Sequence, residues 1–307
     1  MRKRLVLIDG HHILHRAYHA FPPTLTTRKG ELVNAVYGFT RILLKVIADL
    51  QPKYLAVTFD RPEPTFRHKE FIGYQVQRPK MDAELADQIE RVHQIVDSLN
   101  IPIFEKPGFE ADDLIGTLSG QAMKKKIETI IVTGDKDIMQ LVGKRVRLYL
   151  PQKGFSEAIL CGEKEVEEIL GIKPKQVVDY KAMVGDSSDN YPGVSGIGPK
   201  TAVKLLIKYG DLKNIYRHLK VLPDKVAKKL AEGKESAELS QKLATIVVNA
   251  PVKLDLPACL VADYNQDEAI KLFQELEFRS LINKLPGLEP EKEEEKKKEN
   301  SQMGLFK

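Results

Sequence analysis

The stretch GFEADDLIG, residues 108–116, sets three carboxylates into four positions at the start of an apolar helical pattern. On a helix, Glu110 and Asp113 share a face, while Leu114 and Ile115 begin a buried stripe. Acids in a first turn suit the positive end of the helix dipole, which is an ordinary structural role. The helix dipole alone does not explain the acids if other segments bring further carboxylates to the same place. Unit charges about 4 Å apart repel by about 4 kcal/mol at an effective dielectric of 20. Such a cluster needs cations.

Three short apolar runs predict strands of a parallel sheet, at residues 5–8, 54–59 and 129–133. Helical patterns lie between them, which is typical of an α/β fold. Open parallel sheets bind ligands beyond the carboxyl ends of their strands. Aspartates follow all three runs and should therefore meet at one edge, namely Asp9, Asp60, Asp135 and Asp137.

Length and composition set the outer bounds. A chain of 307 residues predicts a main domain and a smaller one, and 42% apolar with 30% charged residues describes a globular protein. The sequence has no apolar run of about 20 residues, and its basic start leads straight into a strand, so we expect neither membrane association nor a signal peptide. Cys161 and Cys259 cannot form a disulfide framework, which favours a reducing cytoplasm.

The net charge alone does not identify the binding partner. The net charge of +5 understates the basic surface if cations neutralise the acids, so lysines and arginines are available for a polyanion; an ordinary solvated surface is equally compatible. His11 and His15 stand four apart, but no HExxH pattern or nearby cysteine supports zinc. Arg16 is either a phosphate contact near the sheet edge or a surface residue.

Residues 61–82 interleave basic and aromatic side chains directly after Asp60. A solvated helical connection would explain the composition, but the position beside the acids favours contact with single-stranded nucleic acid. The basic candidates for this contact include Arg67, Lys69, Arg78 and Lys80.

A second informative region runs from residue 179 to residue 206. It holds two more acids, Asp186 and Asp189, in a polar loop before a Gly-Ile-Gly turn. Glycines at such a turn let the backbone approach a phosphate, and with the following lysines the pattern predicts a helix-hairpin-helix that grips duplex backbone. The residues assigned to this contact are Gly196, Gly198, Lys200, Thr201 and Lys204.

Several stretches together resemble the 5′ nuclease domain of bacterial DNA polymerase I, within the flap endonuclease superfamily. The likeness covers about residues 4–285 and rests on IDG at 8–10, RAYHAFPP at 16–23, FD at 59–60, TFR at 65–67, EADD at 110–113, TGDKD at 133–137 and GDSSDN at 185–190. It implies a PIN-like, mostly parallel sheet flanked by helices, with a helical arch and a C-terminal all-α helix-hairpin-helix domain. The implied domains are 1–172, with the arch at about 61–82, and 173–285.

The resemblance implies a structure-specific 5′-3′ exonuclease or flap endonuclease. It would hydrolyse phosphodiesters of 5′-flap or junction DNA and of RNA primers, in replication and repair. Metal-binding acids are implied at Asp9, Asp60, Glu110, Asp112, Asp113, Asp135, Asp137, Asp186 and Asp189, and catalytic contacts at Arg16, Tyr74 and Arg78. An all-carboxylate set independently favours two Mg²⁺ or Mn²⁺ ions, and the likeness adds K⁺ at the hairpin.

This sequence departs from the family at two places. Gln75 stands where relatives usually carry a lysine beside the phosphate, so we expect Gln75→Lys to raise turnover on a flap. His11 and His12 replace small hydroxyl residues, without a consequence that we can derive.

Residues 286–307 are predicted to form a separate, charged and disordered tail. Residues 289–300 are a Glu/Lys run that predicts a disordered linker. Gln302, Leu305 and Phe306 beyond it are similar to the motif that docks bacterial replication proteins on the sliding clamp; a frayed tail is the alternative. Because no polymerase domains follow, we expect a stand-alone, cytoplasmic, nucleoid-associated nuclease.

Three other classes of protein share parts of this pattern. A haloacid-dehalogenase-type phosphotransferase needs an aspartate where His11 stands. A PIN-type ribonuclease shares the acidic edge but usually lacks the hairpin and the arch. A non-catalytic, clamp-recruited DNA-binding module predicts no metal-dependent cleavage.

Overall fold

The apolar runs pair into one sheet. A computed structural model describes residues 3–151, 158–261 and 263–288, and within them the strand order is β3-β2-β1-β4-β5-β6. All neighbouring strands run parallel except β5 and β6, which confirms the mostly parallel α/β prediction. The strands are β1 (Arg4–Asp9), β2 (Tyr54–Thr58), β3 (Ile103–Phe104), β4 (Glu128–Val132), β5 (Val146–Pro151) and β6 (Ala158–Cys161).

Both faces of the sheet are covered, as continuous apolar strands require. Leu5 and Leu7 of β1 point into one core, while Val6 and Ile8 point into the other. Helix α6 (Ala111–Lys124) covers the first face, and α1 (Gly10–Ala20), α2 (Asn34–Leu50) and α5 (Ile89–Ser98) cover the second.

The register brings the ends of the central strands level. Asp9 pairs with Thr58 of β2, and Ile8 pairs with Val132 of β4. The residues that follow β2 and β4 therefore lie beside Asp9 at one edge, as the sequence predicted. We call this edge, with the carboxylates that line it, the acidic rim.

The segment 61–82 contains little helix. Its described helix is α3 (Phe66–Glu70), and turns follow to residue 78. Helices α4 (Ala83–Ala86) and α5 are separated by a tight turn, in which the Gln88 N–H donates to the Leu85 carbonyl. The Gln88 side-chain oxygen accepts from the backbone N–H groups of Ala35 and Val36. That amide caps the start of α2, where the backbone lacks helical partners.

A helical region follows the sheet. Ala182, Leu206 and Leu230 belong to the same core as Leu5 and Leu7, so these helices pack on the α6 face of the sheet. They are α7 (Glu163–Leu170), α8 (Val177–Val184), α9 (Pro199–Tyr209), α10 (Leu212–Arg217), α11 (Asp224–Glu232) and α12 (Lys234–Ala244).

The loop between α8 and α9 depends on glycines. Gly185 and Gly193 have φ of 77° and 63°, and a Cβ on Gly193 would lie 2.3 Å from the backbone nitrogen of Gly185. Only glycine fits so close a backbone crossing at positive φ. The predicted Gly-Ile-Gly turn then leads into α9, with Gly198 at the N-cap and Pro199 in the first turn.

The last described helices pack back onto the N-terminal part of the chain that forms the sheet. Helices α13 (Gln266–Glu275) and α14 (Arg279–Ile282) pack in the core that contains α2. The rings of Tyr37 and Phe278 meet edge to face, with centroids 5.2 Å apart. Part of the predicted 173–285 unit thus returns to the sheet. Among the described helices, none combines the length and apolarity that a bilayer crossing requires.

Candidate active site

Asp9 anchors the acidic rim. It is the N-cap of α1, where Oδ1 accepts from the His12 N–H at 3.1 Å and Oδ2 accepts from the Thr133 hydroxyl at 2.9 Å. Burial, together with repulsion from Asp60, raises the pKa of Asp9 to about 7. A cation near this carboxylate would therefore be strongly favoured.

Asp60 joins the end of β2 to the start of α6. Its Oδ1 accepts from the Ala111 N–H at 2.8 Å, and its own N–H donates to His11 Nδ1 at 3.0 Å. This contact brings Asp112 to the same edge. The pKa of Asp112 lies well above its ordinary value because the group is buried and because Asp135, Asp9, Asp60 and Glu110 repel its charge.

Glu110 caps α6 and faces the segment 61–82. Its two oxygens accept from the Thr65 and Tyr74 hydroxyls, each at 3.2 Å. Burial raises the pKa of Glu110 to about 7, although Arg67 opposes the shift. The Tyr74 hydroxyl remains a donor, since burial and the neighbouring carboxylates raise its pKa.

Asp113 lies in the interior with both oxygens paired, which argues against its predicted role as a metal ligand. Both oxygens accept from Arg67 at 2.8 Å, Oδ1 also accepts from the Val247 N–H, and the residue is 0% exposed. Arg67 is 2% exposed and also donates to the carbonyls of Leu243 and Thr245. This burial likewise argues against its predicted role as a DNA contact, since the pair joins α3 and α6 to the end of α12.

Lys181 of α8 connects two carboxylates of the rim. Its Nζ lies 2.5 Å from Asp137 Oδ1 and also donates to Asp186 Oδ2. Burial and Asp135 raise the pKa of Asp137 to about 6. At Asp186 burial acts in the same direction, but hydrogen bonds from Lys181 and Ser188 outweigh it and lower the pKa. The helical region thus contributes directly to the rim.

Asp189 is held by the segment 71–78. Gln75 donates from Nε2 to Asp189 Oδ1 at 2.9 Å, and the Tyr74 hydroxyl lies 3.4 Å from Oδ2. The Gln75 backbone N–H also donates to the Asp189 carbonyl, and Asn190 donates to the carbonyl of Gly73. These bonds fix the acidic loop against the segment that carries Tyr74.

The other predicted contacts surround the rim or lie apart from it. Arg78 is exposed and faces the rim. Burial lowers the pKa of His11, His12 and His15, and the charge of Arg78 lowers each of them further. Arg16 also lowers the pKa of His12. Lys69, Lys80, Lys200 and Lys204 are exposed, as are Gly196 and Gly198, whereas Thr201 is half-buried. Gln302, Leu305 and Phe306 lie outside the described residues.

The donor chemistry of the rim fits hard divalent cations. Its carboxylates come from five segments, and burial together with neighbouring acids raises the pKa of Asp9, Asp112, Asp137 and Asp189. Oxygen ligands of this kind suit Mg²⁺ or Mn²⁺. The Tyr191 hydroxyl is buried near Asp137 and Asp186 without a partner in the described structure, beside a cavity of about 450 Å³. Within the described ranges, no three His, Cys, Asp or Glu side chains stand close enough together to form a complete ion site.

Three residues of the site were missed by the sequence analysis. Lys181 bridges two acids, His11 receives the Asp60 N–H, and Tyr191 places its hydroxyl among the carboxylates. Lys181 could have been found from the sequence, because it lies on the helical pattern that leads into Asp186. For the other two, only the folded arrangement reveals the contact.

Comparison with known proteins identifies two family regions. Residues 4–171 match the family described as 5′-3′ exonuclease, N-terminal resolvase-like domain, and residues 172–267 match 5′-3′ exonuclease, C-terminal SAM fold. DNA polymerase I of Bacillus caldotenax is 39% identical over 96% of this chain, and that of Chloroflexus aurantiacus is 41% identical over 92%. The chain spans 34% and 31% of these relatives, about a third of their length.

Solved structures share the architecture. The T5 D15 protein, crystallised with metal ions, has a TM-score of 0.63 at 19% identity and covers 90% of this chain and 99% of its own. The catalytic core of Rad2 in complex with DNA substrate has a TM-score of 0.59 at 16% identity, covering 90% of this chain and 87% of its own. At these identities the likeness establishes the fold.

Proposed function

We propose that this chain, which belongs to the 5′-3′ exonuclease family, is a structure-specific 5′-3′ nuclease that hydrolyses phosphodiesters near a 5′ flap or junction. The observation that carries this proposal is the convergence of carboxylates from the sheet domain and the helical region on one rim. A glycine turn suited to duplex backbone follows the last of these acids along the chain. RNA primers annealed to DNA are a further substrate that we propose.

The residues that would hold two Mg²⁺ or Mn²⁺ ions are the rim acids without Asp113. They are Asp9, Asp60, Glu110, Asp112, Asp135, Asp137, Asp186 and Asp189. The chemistry that such ions supply is an activated water and neutralised charge on the phosphate and the leaving oxygen. The all-oxygen donor set and the T5 D15 protein crystallised with metal ions support this choice.

The chain's own side chains would orient the substrate and the acids. The Tyr74 hydroxyl and the Gln75 amide hold Glu110 and Asp189, and Arg78 supplies an exposed positive charge where a phosphate must approach. The buried Tyr191 hydroxyl can donate to a phosphate or water oxygen that enters the rim.

The partners follow from the same proposal. Duplex DNA would lie along Gly196, Gly198, Lys200, Thr201 and Lys204, with K⁺ at this turn, and the 5′ strand would contact Lys69 and Lys80. The T5 and Rad2 structures include complexes with DNA, which supports a DNA substrate. We further propose clamp docking through Gln302, Leu305 and Phe306, and a cytoplasmic, DNA-associated location.

The test is cleavage of a 5′-labelled flap duplex during a Mg²⁺ titration. We expect products from the flap only when metal is present, and none from Asp135→Ala. Cleavage of plain single-stranded RNA in preference to the flap would instead indicate a PIN-type ribonuclease. Flap binding without cleavage at any Mg²⁺ concentration would indicate a non-catalytic module.

A further inference from the structure

Lys181 occupies an unusual position for a cation. Its side chain is 18% exposed and pairs with Asp137, which follows β4, and with Asp186, which follows α8. Asp137 and Asp186 thus share one ammonium, although they belong to different parts of the fold. Without the ammonium between them, the two negative charges would repel each other.

Both oxygens of Asp186 already accept hydrogen bonds in this arrangement. Oδ2 accepts from Lys181, and Oδ1 accepts from the backbone N–H and the hydroxyl of Ser188, at 2.7 and 2.5 Å. A divalent ion on the remaining lone pair of Oδ2 would lie close to the ammonium, and because the two positive charges repel, they compete for this carboxylate.

We infer that Lys181 is a resident cation of the acidic rim, and that a divalent ion must displace it before binding Asp137 and Asp186. The inference rests on the proposed metal-dependent function. It assigns Lys181 a positioning role: in the metal-free protein it keeps the two acids together, and on displacement its ammonium is released beside the rim, where it can pair with a DNA phosphate.

The alternative is a permanent structural brace. Lys181 would then stay on both carboxylates whether or not metal is present, and its removal would lower stability without strengthening metal binding. The two possibilities therefore differ in the absence of DNA: removal of the ammonium strengthens ion binding only if Lys181 is displaced by the ion.

The test is Mn²⁺ binding to the full chain by isothermal titration calorimetry, without DNA. Lys181→Met keeps the length and the apolar stem but lacks the charge, and we expect its weaker Mn²⁺ site to tighten about tenfold. Lys181→Arg retains a cation and should bind like the wild type. In Lys181→Met/Asp186→Asn the gain should disappear.

Unchanged or weaker Mn²⁺ binding by Lys181→Met would overturn the inference and leave the proposed nuclease intact, provided that the wild type binds Mn²⁺. If the wild type binds no Mn²⁺, both fail. Thermal unfolding followed by circular dichroism shows whether Lys181→Met is folded. If it is not, Lys181→Gln takes its place, with the same expected gain and the same overturning result.

Discussion

Two adjacent acids of the opening stretch have opposite environments. Neighbouring residues on an α-helix point about 100° apart. At the start of α6 this turns Asp112 toward Asp9 and Asp135, and turns Asp113 toward Arg67 and the end of α12. Sequence motifs count both as carboxylates in one cluster, and only the helix geometry separates their roles.

We expect Asp113→Asn to be destabilising but not to impair metal binding. Removing one partner of a buried ion pair leaves the other charge unpaired, at a cost of about 3–5 kcal/mol. Urea unfolding of the metal-free protein measures this decrease in stability. The double variant Arg67→Met/Asp113→Leu should recover part of it, since neither charge is then buried alone.

The matched control is the neighbouring Asp112→Asn. Relief of repulsion should leave its stability equal to the wild type or higher, while its Mn²⁺ affinity falls. If Asp113→Asn, under conditions where it is folded, weakens Mn²⁺ binding as much as Asp112→Asn does, then Asp113 is a ligand and the assignment to the interior is wrong.

Gln75 supports a second prediction at this scale. Its amide already donates to Asp189 at 2.9 Å, and its φ is 53°, so the backbone turns there to aim the side chain at the rim. A lysine at this position can still donate a hydrogen bond to Asp189, and its positive charge can also pair with a phosphate. We expect Gln75→Lys to raise single-turnover cleavage of a flap a few-fold.

Gln75→Met separates charge from hydrogen bonding in that measurement. It removes the donor to Asp189 without adding a charge, so we expect slower cleavage than in the wild type. A Gln75→Lys rate at or below that of the wild type would mean that the lysine remains paired with Asp189 and never serves the phosphate.

At the scale of elements, the strands and the edge where they end follow from the sequence. Continuous apolar runs closed by aspartates suffice, because parallel register then brings Asp9, Asp60 and Asp135 together. Long-range contacts do not follow from local pattern. The Gln88 side chain caps α2 from a distant turn, and α13 and α14 return to the sheet through apolar faces that specify no partner.

The glycine turn before α9 supports a prediction about duplex binding. Lys200 and Lys204 are exposed on the helix that this turn begins. We expect Lys200→Ala/Lys204→Ala to weaken duplex binding and to lower the salt slope of log K by up to about 1.8, since each phosphate that the protein no longer neutralises lowers the slope by about 0.9. Fluorescence anisotropy at several KCl concentrations measures both quantities.

Lys45→Ala/Lys53→Ala is the control for charge alone. Lys45 lies on α2, on the other face of the sheet, and Lys53 precedes β2 at the edge opposite the acidic rim. Equal salt slopes for the two double variants would show that net charge, and not the hairpin, governs duplex binding.

At the scale of the whole molecule, the rim joins the two halves of the fold. The sheet domain supplies Asp9, Asp112 and Asp137, and the helical region supplies Asp186 and Asp189. Whatever neutralises these acids therefore also stabilises the packing between the halves. In the free protein that task falls to Lys181 and to hydrogen bonds from Tyr74 and Gln75.

The raised pKa values make this neutralisation depend on pH. Burial, with repulsion from nearby acids, raises the pKa of Asp9 and Glu110 to about 7 and that of Asp137 to about 6. A carboxyl group with a folded-state pKa above its unfolded value stabilises the fold below about pH 4, and this contribution disappears as pH rises to about 7. A divalent ion binds the ionised form and should restore the stability.

We therefore expect Mg²⁺ to raise the melting temperature more at pH 8 than at pH 6. A site whose ionisation has a pKa of about 7 is mostly charged at pH 8 and mostly protonated at pH 6, so apparent Mg²⁺ affinity should differ about tenfold for each proton displaced. Differential scanning fluorimetry across a Mg²⁺ series at both pH values measures this.

The variant Asp9→Asn/Glu110→Gln cannot release these protons and should show a smaller Mg²⁺ response with little pH dependence. An equal Mg²⁺ response at both pH values in the wild type would mean that the rim acids are already ionised at pH 6, and that repulsion among them is weaker than their burial indicates.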